Sequence, residues 1–157
     1  MSGSGGSVER VRAALLAAEH PDTIVAFPAG TRTAADAAAA IGCEVAQIAK
    51  SIVFRAGDRA AVVVISGALR VDQAKAEAAL GVRLARADAD WVRQATGFAV
   101  GGVAPVGHVS APLLLLDEGL LTLDPIWAAA GSPSHVFRTT AGELVRVTGA
   151  TVASVAA

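Results

Sequence analysis

Every position from Ala60 to Ile65 is apolar, and from Val62 onward every one is β-branched. Successive side chains of a strand point to opposite faces, so a strand that is apolar at both parities must be covered on both sides. A second β-rich run, Ser51 to Arg55, comes just before it, and Gly57-Asp58 between the two is a turn signal. The pair predicts a β-hairpin in a sheet that carries helices on both faces.

The remaining patterns supply those helices. Val8, Val11, Leu15 and Leu16 fall at helical spacing, which predicts a helix from Val8 to Glu19 ended by His20-Pro21. Thr33 is an N-cap for a helix over 34–41 that Gly42 terminates, and Glu44 to Ala49 adds a helical turn. Asp72 to Leu80, closed by Gly81, and Ala89 to Thr96 are two further helices. Thr140 opens the last one in a capping-box arrangement with Glu143. Short strands are expected at Thr23–Phe27, bounded by Pro28 and Gly30, and at Val82–Ala85, Pro112–Leu116, Pro125–Ala130 and Val136–Arg138. Asp117 to Leu121 is a turn, and Gly97 to His108, with four glycines and a proline, is a loop. At 157 residues the chain makes one domain. The expectation is a compact α/β (α+β) fold over 8–157, its mixed, barrel-like sheet surrounded by helices. Met1 to Ser7 is a flexible Gly/Ser leader, set aside from the fold.

Composition narrows the function. Hydrophobic residues make up 54% of the chain but aromatics only 4%, so the core is built from small aliphatic side chains. No apolar run reaches the roughly 20 residues that span a bilayer, so no membrane partner is expected. The single cysteine, Cys43, cannot form an internal disulfide, and no signal peptide is visible; both point to the cytoplasm. Cys43, His20, His108 and His135 have no metal-ligand spacing, and neither a dinucleotide fingerprint nor a Walker-type phosphate loop occurs. No metal and no cofactor is expected. With a net charge of −1 and no basic run, a nucleic-acid partner would be touched locally, at an end or a loop.

Lys50 and Lys75 are the only lysines. Lys50 shares a strand face with Ile52 and Phe54, where an ammonium must snorkel, pair, or be held for a ligand such as phosphate, carboxylate or an ester carbonyl. The glycines of the 97–108 loop allow close backbone approach and N–H groups aimed at an anion, while Phe98, Val100 and Val103 call for burial. Gly131-Ser132-Pro133-Ser134-His135 is a second small-residue loop whose histidine is a base, a donor, or an ordinary surface residue. Ser66, at a strand end, lines a pocket or caps the next segment. No nucleophile elbow and no catalytic triad can be composed, and Cys43 has no obvious base nearby.

Taken in order, these segments resemble the YbaK family, which includes the editing domains associated with prolyl-tRNA synthetase. The resemblance rests on Thr31-Arg32-Thr33-Ala34-Ala35-Asp36-Ala37-Ala38, on Gln47-Ile48-Ala49-Lys50-Ser51-Ile52-Val53-Phe54, and on Val71-Asp72 with Lys75. It continues through Thr96-Gly97, Gly101-Gly102-Val103-Ala104-Pro105-Val106-Gly107, and Ala130-Gly131 followed by a helix at 140–147. The resemblance implies trans-acting hydrolysis of the ester in mischarged tRNA, chiefly tRNA(Pro) carrying a small non-cognate amino acid. Lys50 would hold the terminal nucleotide or aminoacyl group, and the backbone at Gly101 and Gly102 would stabilise the charge developing on the ester carbonyl. Ser51, Ser66, Pro105, Gly107, His108, Gly131, Ser132 and His135 would contact substrate. The implied partners are the tRNA acceptor end and prolyl-tRNA synthetase, with the protein a monomer or homodimer.

The chain departs from the pattern in two places. Some members carry an aspartate a few residues after the glycine matching Gly131, where this chain reads Ser134-His135-Val136-Phe137, and His108 is not general. Both departures bear on amino-acid specificity more than on reaction type. The alternatives are a non-catalytic module that binds aminoacyl-tRNA, and a generic α/β domain in which Lys50 only snorkels.

Overall fold

The structure, a computed structural model, describes residues 3–27 and 33–157, the side chains of residues 3–5 excepted. The expected strand bounds Pro28 and Gly30 and the motif residues Thr31 and Arg32 lie outside the described residues, as do Met1 and Ser2.

The hairpin forms as expected and is longer than predicted. Strand β2 (Ile48–Ala56) pairs antiparallel with β3 (Arg59–Ser66) in a register that sets Lys50 opposite Ile65 and Ser51 opposite Val64. Around it assemble β1 (Ile24–Ala26), β4 (Ala85–Arg86), β5 (Leu113–Asp117), β6 (Ile126–Ala129), β7 (His135–Thr139) and β8 (Thr151–Ala153). The sheet order is β1-β7-β6-β2-β3-β5-β8, with β4 branching off β2. Pairing is mixed: β2–β6, β3–β5 and β5–β8 are parallel, the rest antiparallel. β1 and β8 are the ends of this path, and no pairing joins them among the described residues.

The two parities of β3 go to two cores. Val62 and Val64 face Val11, Leu15, Phe98, Phe137 and Leu144, the side covered by helix α1 (Gly3–Ala17), α4 (Ala89–Thr96) and α5 (Ala141–Thr148). Ala61 and Val63 face Ala76, Leu84 and Val155, the side of helix α3 (Gln73–Leu80). Helix α2 (Ala34–Ile41) makes a third cluster from Ala37, Ala38 and Ile48, with Trp127 against it. Removing this much apolar surface from water at about 25 cal/mol per Å² is what drives so aromatic-poor a chain to fold.

The caps follow the sequence. Thr33 accepts from Asp36 N and Asp36 answers with the reciprocal bond, while Gly42 closes α2 in the left-handed conformation. Thr140 accepts from Glu143 N, but the Glu143 carboxylate turns to Arg146 instead of completing the box. Asp117, expected in a turn, is buried, and it accepts from Val155 N and Gly119 N.

Other elements differ from the sequence expectation, among them β4, expected over Val82–Ala85 and found at Ala85–Arg86. Helix α1 starts at Gly3, so residues expected as a leader are helical, and Ser7 is only 6% exposed. Glycine disfavours helix by about 1 kcal/mol relative to alanine, but packing of Ser7 and Val8 against the fold outweighs that propensity. The turn expected over Glu44 to Ala49 is a 3-10 turn of only Val45–Gln47, because Ile48 and Ala49 pair with β6. The strand β8 was not expected; three residues carry too little periodicity to announce it. Among the described residues no helix is long and apolar enough to cross a membrane.

Candidate functional site

The site arises where the sheet splits. On the edge away from β3, β2 pairs with β6 only at Ile48 and Ala49, and with β4 only at Phe54 and Arg55. Between those contacts, from Lys50 to Val53, no strand among the described residues covers that edge. A cavity of about 300 Å³ opens there. Its walls come from β2 (Ile48 to Ile52), from Thr33, Ala34 and Ala37 of the α2 start, and from Trp127 and Ala129 of β6. Val100, Gly101 and Val103 of the glycine loop and Ser132, Pro133, His135 and Val136 close it.

Among the described residues no carboxylate lines the cavity, and Lys50 is its one lysine or arginine. Among the described residues its ammonium has neither an ion pair nor a hydrogen bond. Burial pushes its pKa below the ordinary lysine value, and the nearby Arg70 guanidinium pushes the same way. The ammonium is partly buried near another cation, an arrangement relieved by an anion or an oxygen dipole.

The two small-residue loops meet at Gly102. A Cβ there would lie 2.8 Å from Ser132 Cα and 2.9 Å from its carbonyl carbon, so only glycine lets the loops touch. Gly102 N–H donates to Ala99 O at 2.9 Å and is thereby used within its own loop. Gly101, with φ +93°, faces the cavity. Ser132 is buried, and its Oγ stands 2.6 Å from His135 Nδ1 while accepting from Ser134 N at 3.1 Å. The imidazole is therefore fixed through Nδ1, and Nε2 has no partner among the described residues. Gly131 lies behind this wall, against α1: a Cβ there would meet Ser7 O at 2.7 Å.

The other expected contacts lie elsewhere. Ser66 Oγ donates to Ala46 O at 2.8 Å and accepts from Ala68 N at 3.3 Å, tying off the end of β3. Pro105, Gly107 and His108 line a second cavity, of about 340 Å³, between α1 and α5. His108 Nε2 is 2.6 Å from Ala104 O, and the ring packs edge-on against Phe98. Cys43 belongs to the α2 cluster, where burial raises its thiol pKa and disfavours the nucleophilic thiolate.

His108 makes stability pH-dependent. Burial, with the Arg10 charge adding to it, holds its pKa below the ordinary value. Unfolding releases an imidazole that takes up a proton near pH 6.5, so below that pH the unfolded chain binds more protons than the folded one. Stability therefore rises with pH through this window and falls as pH drops from about 7.5 to 5.5. Thermal melts at both ends should show a smaller shift for His108→Asn than for the parent; equal shifts would mean that His108 titrates normally.

Two residues that matter to the site carried no sequence signal. Arg10, on α1, donates from Nε to Gly107 O at 3.2 Å and from a terminal nitrogen to Gly97 O at 2.7 Å, with its guanidinium over the Phe98 ring. One side chain thus pins both ends of the glycine loop, from about ninety residues away in sequence. Trp127 gives the cavity an aromatic face, a role that β6 shows only once it is paired beside Ile48.

Residues 28–147 match the aminoacyl-tRNA editing domain family. The chain belongs to this family. The match covers α2 through most of α5, and so contains every wall of the cavity. Among solved structures, the chain is 44% identical to one described as “Crystal structure of a putative trans-editing enzyme for prolyl tRNA synthetase”, with a TM-score of 0.90 over 96% of this chain and 97% of that one. It is 29% identical to a hypothetical protein whose crystal structure it matches with a TM-score of 0.87, covering 94% and 99% of the two chains. It is also 29% identical, over 88% of each chain, to the uncharacterised protein YwhH of Bacillus subtilis. The editing family's fold, a mixed sheet wrapped by helices, is the one found here.

Proposed function

We propose that the protein hydrolyses the ester that joins a small, wrongly attached amino acid to the end of a tRNA, with tRNA(Pro) the first substrate to try. The observation that carries this reading is Lys50: a cation that has no partner, in a family-matched cavity without a carboxylate, among the described residues. The ammonium is suited to the terminal phosphate or the ester carbonyl, and Trp127 offers the kind of aromatic face on which a base stacks. His135, fixed at Nδ1 by Ser132, presents Nε2 to the substrate.

In the reaction a water attacks the ester carbonyl carbon, negative charge grows on the carbonyl oxygen, and the carbon–oxygen bond to the ribose breaks. Free amino acid and a tRNA with its hydroxyl restored are the products. An aminoacyl ester is already activated, so positioning and charge stabilisation suffice and no protein nucleophile is needed. The Gly101 backbone is the loop's donor nearest that charge in this scheme, since Gly102 N–H is engaged with Ala99 O.

The test is a panel of tRNAs, chiefly tRNA(Pro), charged with Ala, Ser, Thr, Cys or Pro, with release of free amino acid followed over a buffer control. Selective loss of a mischarged species supports the proposal. Binding of the panel without acceleration of any member replaces hydrolysis with recognition alone.

A further inference from the structure

Ser51 stands next to Lys50 on the uncovered stretch of β2 and lines the same cavity. Its hydroxyl is shielded from solvent and has no hydrogen-bond partner among the described residues. Buried polar side chains nearly always have one, because an unmade bond leaves the desolvation penalty uncompensated. The neighbouring serines do not share this condition: Ser66 is engaged with Ala46 and Ala68, and Ser132 with Ser134 and His135. Ser51 is the one buried hydroxyl in the cavity wall left for a ligand among the described residues.

The depth of this hydroxyl indicates which part of a ligand meets it. A tRNA keeps its bulk outside a cavity of about 300 Å³, so its aminoacyl group is the leading tip. All three residues are partly buried, but only the Ser51 hydroxyl is itself closed off from water; Lys50 and His135 are suited to the phosphate and ester. Ala49, on the same face of β2, and Val103 of the glycine loop also line the cavity and offer a ligand no hydrogen-bonding side chain.

We propose that Ser51 selects amino-acid side chains bearing a hydroxyl or thiol, so that seryl, threonyl or cysteinyl esters are preferred over alanyl. This rests on the editing reading of the cavity given above. A hydrophobic wall alone separates such isosteres poorly, whereas a site built to hydrogen-bond a polar substituent discriminates against its absence.

The experiment has two arms. In the first, non-hydrolysable seryl and alanyl amides of 3′-amino-3′-deoxyadenosine 5′-phosphate are titrated into the protein and into Ser51→Ala. The parent should bind the seryl compound more tightly, and Ser51→Ala should reduce the seryl-to-alanyl affinity ratio about tenfold, the effect of one neutral hydrogen bond. Equal affinities in the parent, or a ratio unmoved by Ser51→Ala, overturn the proposal. In the second arm, deacylation of seryl- and alanyl-tRNA(Pro) is followed with the same two proteins, and the kcat/KM ratio should fall in parallel. If the amides discriminate but no ester is hydrolysed, the editing reading fails and the selectivity of Ser51 stands. If esters are hydrolysed with an unchanged ratio, the reverse holds. Ser51→Thr, which retains the hydroxyl, should keep the preference if it binds at all; loss of preference with binding intact also counts against the proposal.

Discussion

Lys50→Met should lower the rate of aminoacyl-ester hydrolysis roughly 100- to 1,000-fold, the usual consequence of removing one preorganised group that stabilises developing charge. The same substitution should leave the melting temperature unchanged or raise it. Both effects follow from one circumstance: the ammonium is held partly out of water, near Arg70, with no partner among the described residues to offset the cost of keeping it charged. Methionine keeps most of the stem's contacts with its apolar neighbours and removes the charge. A residue whose loss slows turnover without destabilising the fold is retained for chemistry, and a snorkelling lysine would leave the rate unchanged. Single-turnover deacylation and a thermal melt on the same preparation decide it; a rate within twofold of the parent would refute the assignment.

Gly131→Ala should be the most damaging small substitution to stability. Gly131 sits at φ +97°, where a side chain is strained by about 1–2 kcal/mol. The added methyl would also stand 2.7 Å from Ser7 O, 2.8 Å from Ser7 C and 3.0 Å from Val8 N, all backbone atoms of α1. Overpacking against groups that cannot rotate away costs about 1–3 kcal/mol more. Together these lower the melting temperature by roughly 5–20 °C in a domain of this size. Gly81→Ala is the matched control: its φ is +70°, and a Cβ there would meet nothing within 4 Å. If both variants lose the same amount, the contact with α1 contributes nothing. Because α1 also carries Arg10, which ties Gly97 and Gly107, a displaced helix should loosen the glycine loop. Gly131→Ala should then lose turnover even well below its melting point.

The hairpin, the helices α2 to α5 and most caps were legible in the sequence because each depends on residues a few positions apart. Val62 to Ile65 required two covered faces wherever the strand lay, Thr33 and Gly42 bounded α2, and Gly81 closed α3. Lys50 was conspicuous for a related reason: a lone cation on an apolar strand face conflicts with its local pattern, and such conflicts mark function more often than error. Family membership was readable too, because it rests on the order and spacing of motifs along the chain.

What sequence could not supply is everything that depends on which distant segments meet. The sheet order decides that β6 and β4 share one edge of β2 and leave Lys50 to Val53 uncovered, and so it decides where the cavity is. It sends the loop residues Gly101 and His108 to different cavities although only seven positions separate them. It makes Gly102 and Gly131 necessary through backbone contacts that are close only in space. And it leaves the Ser51 hydroxyl without a partner among the described residues, a property of the surrounding volume that no local pattern of residues encodes.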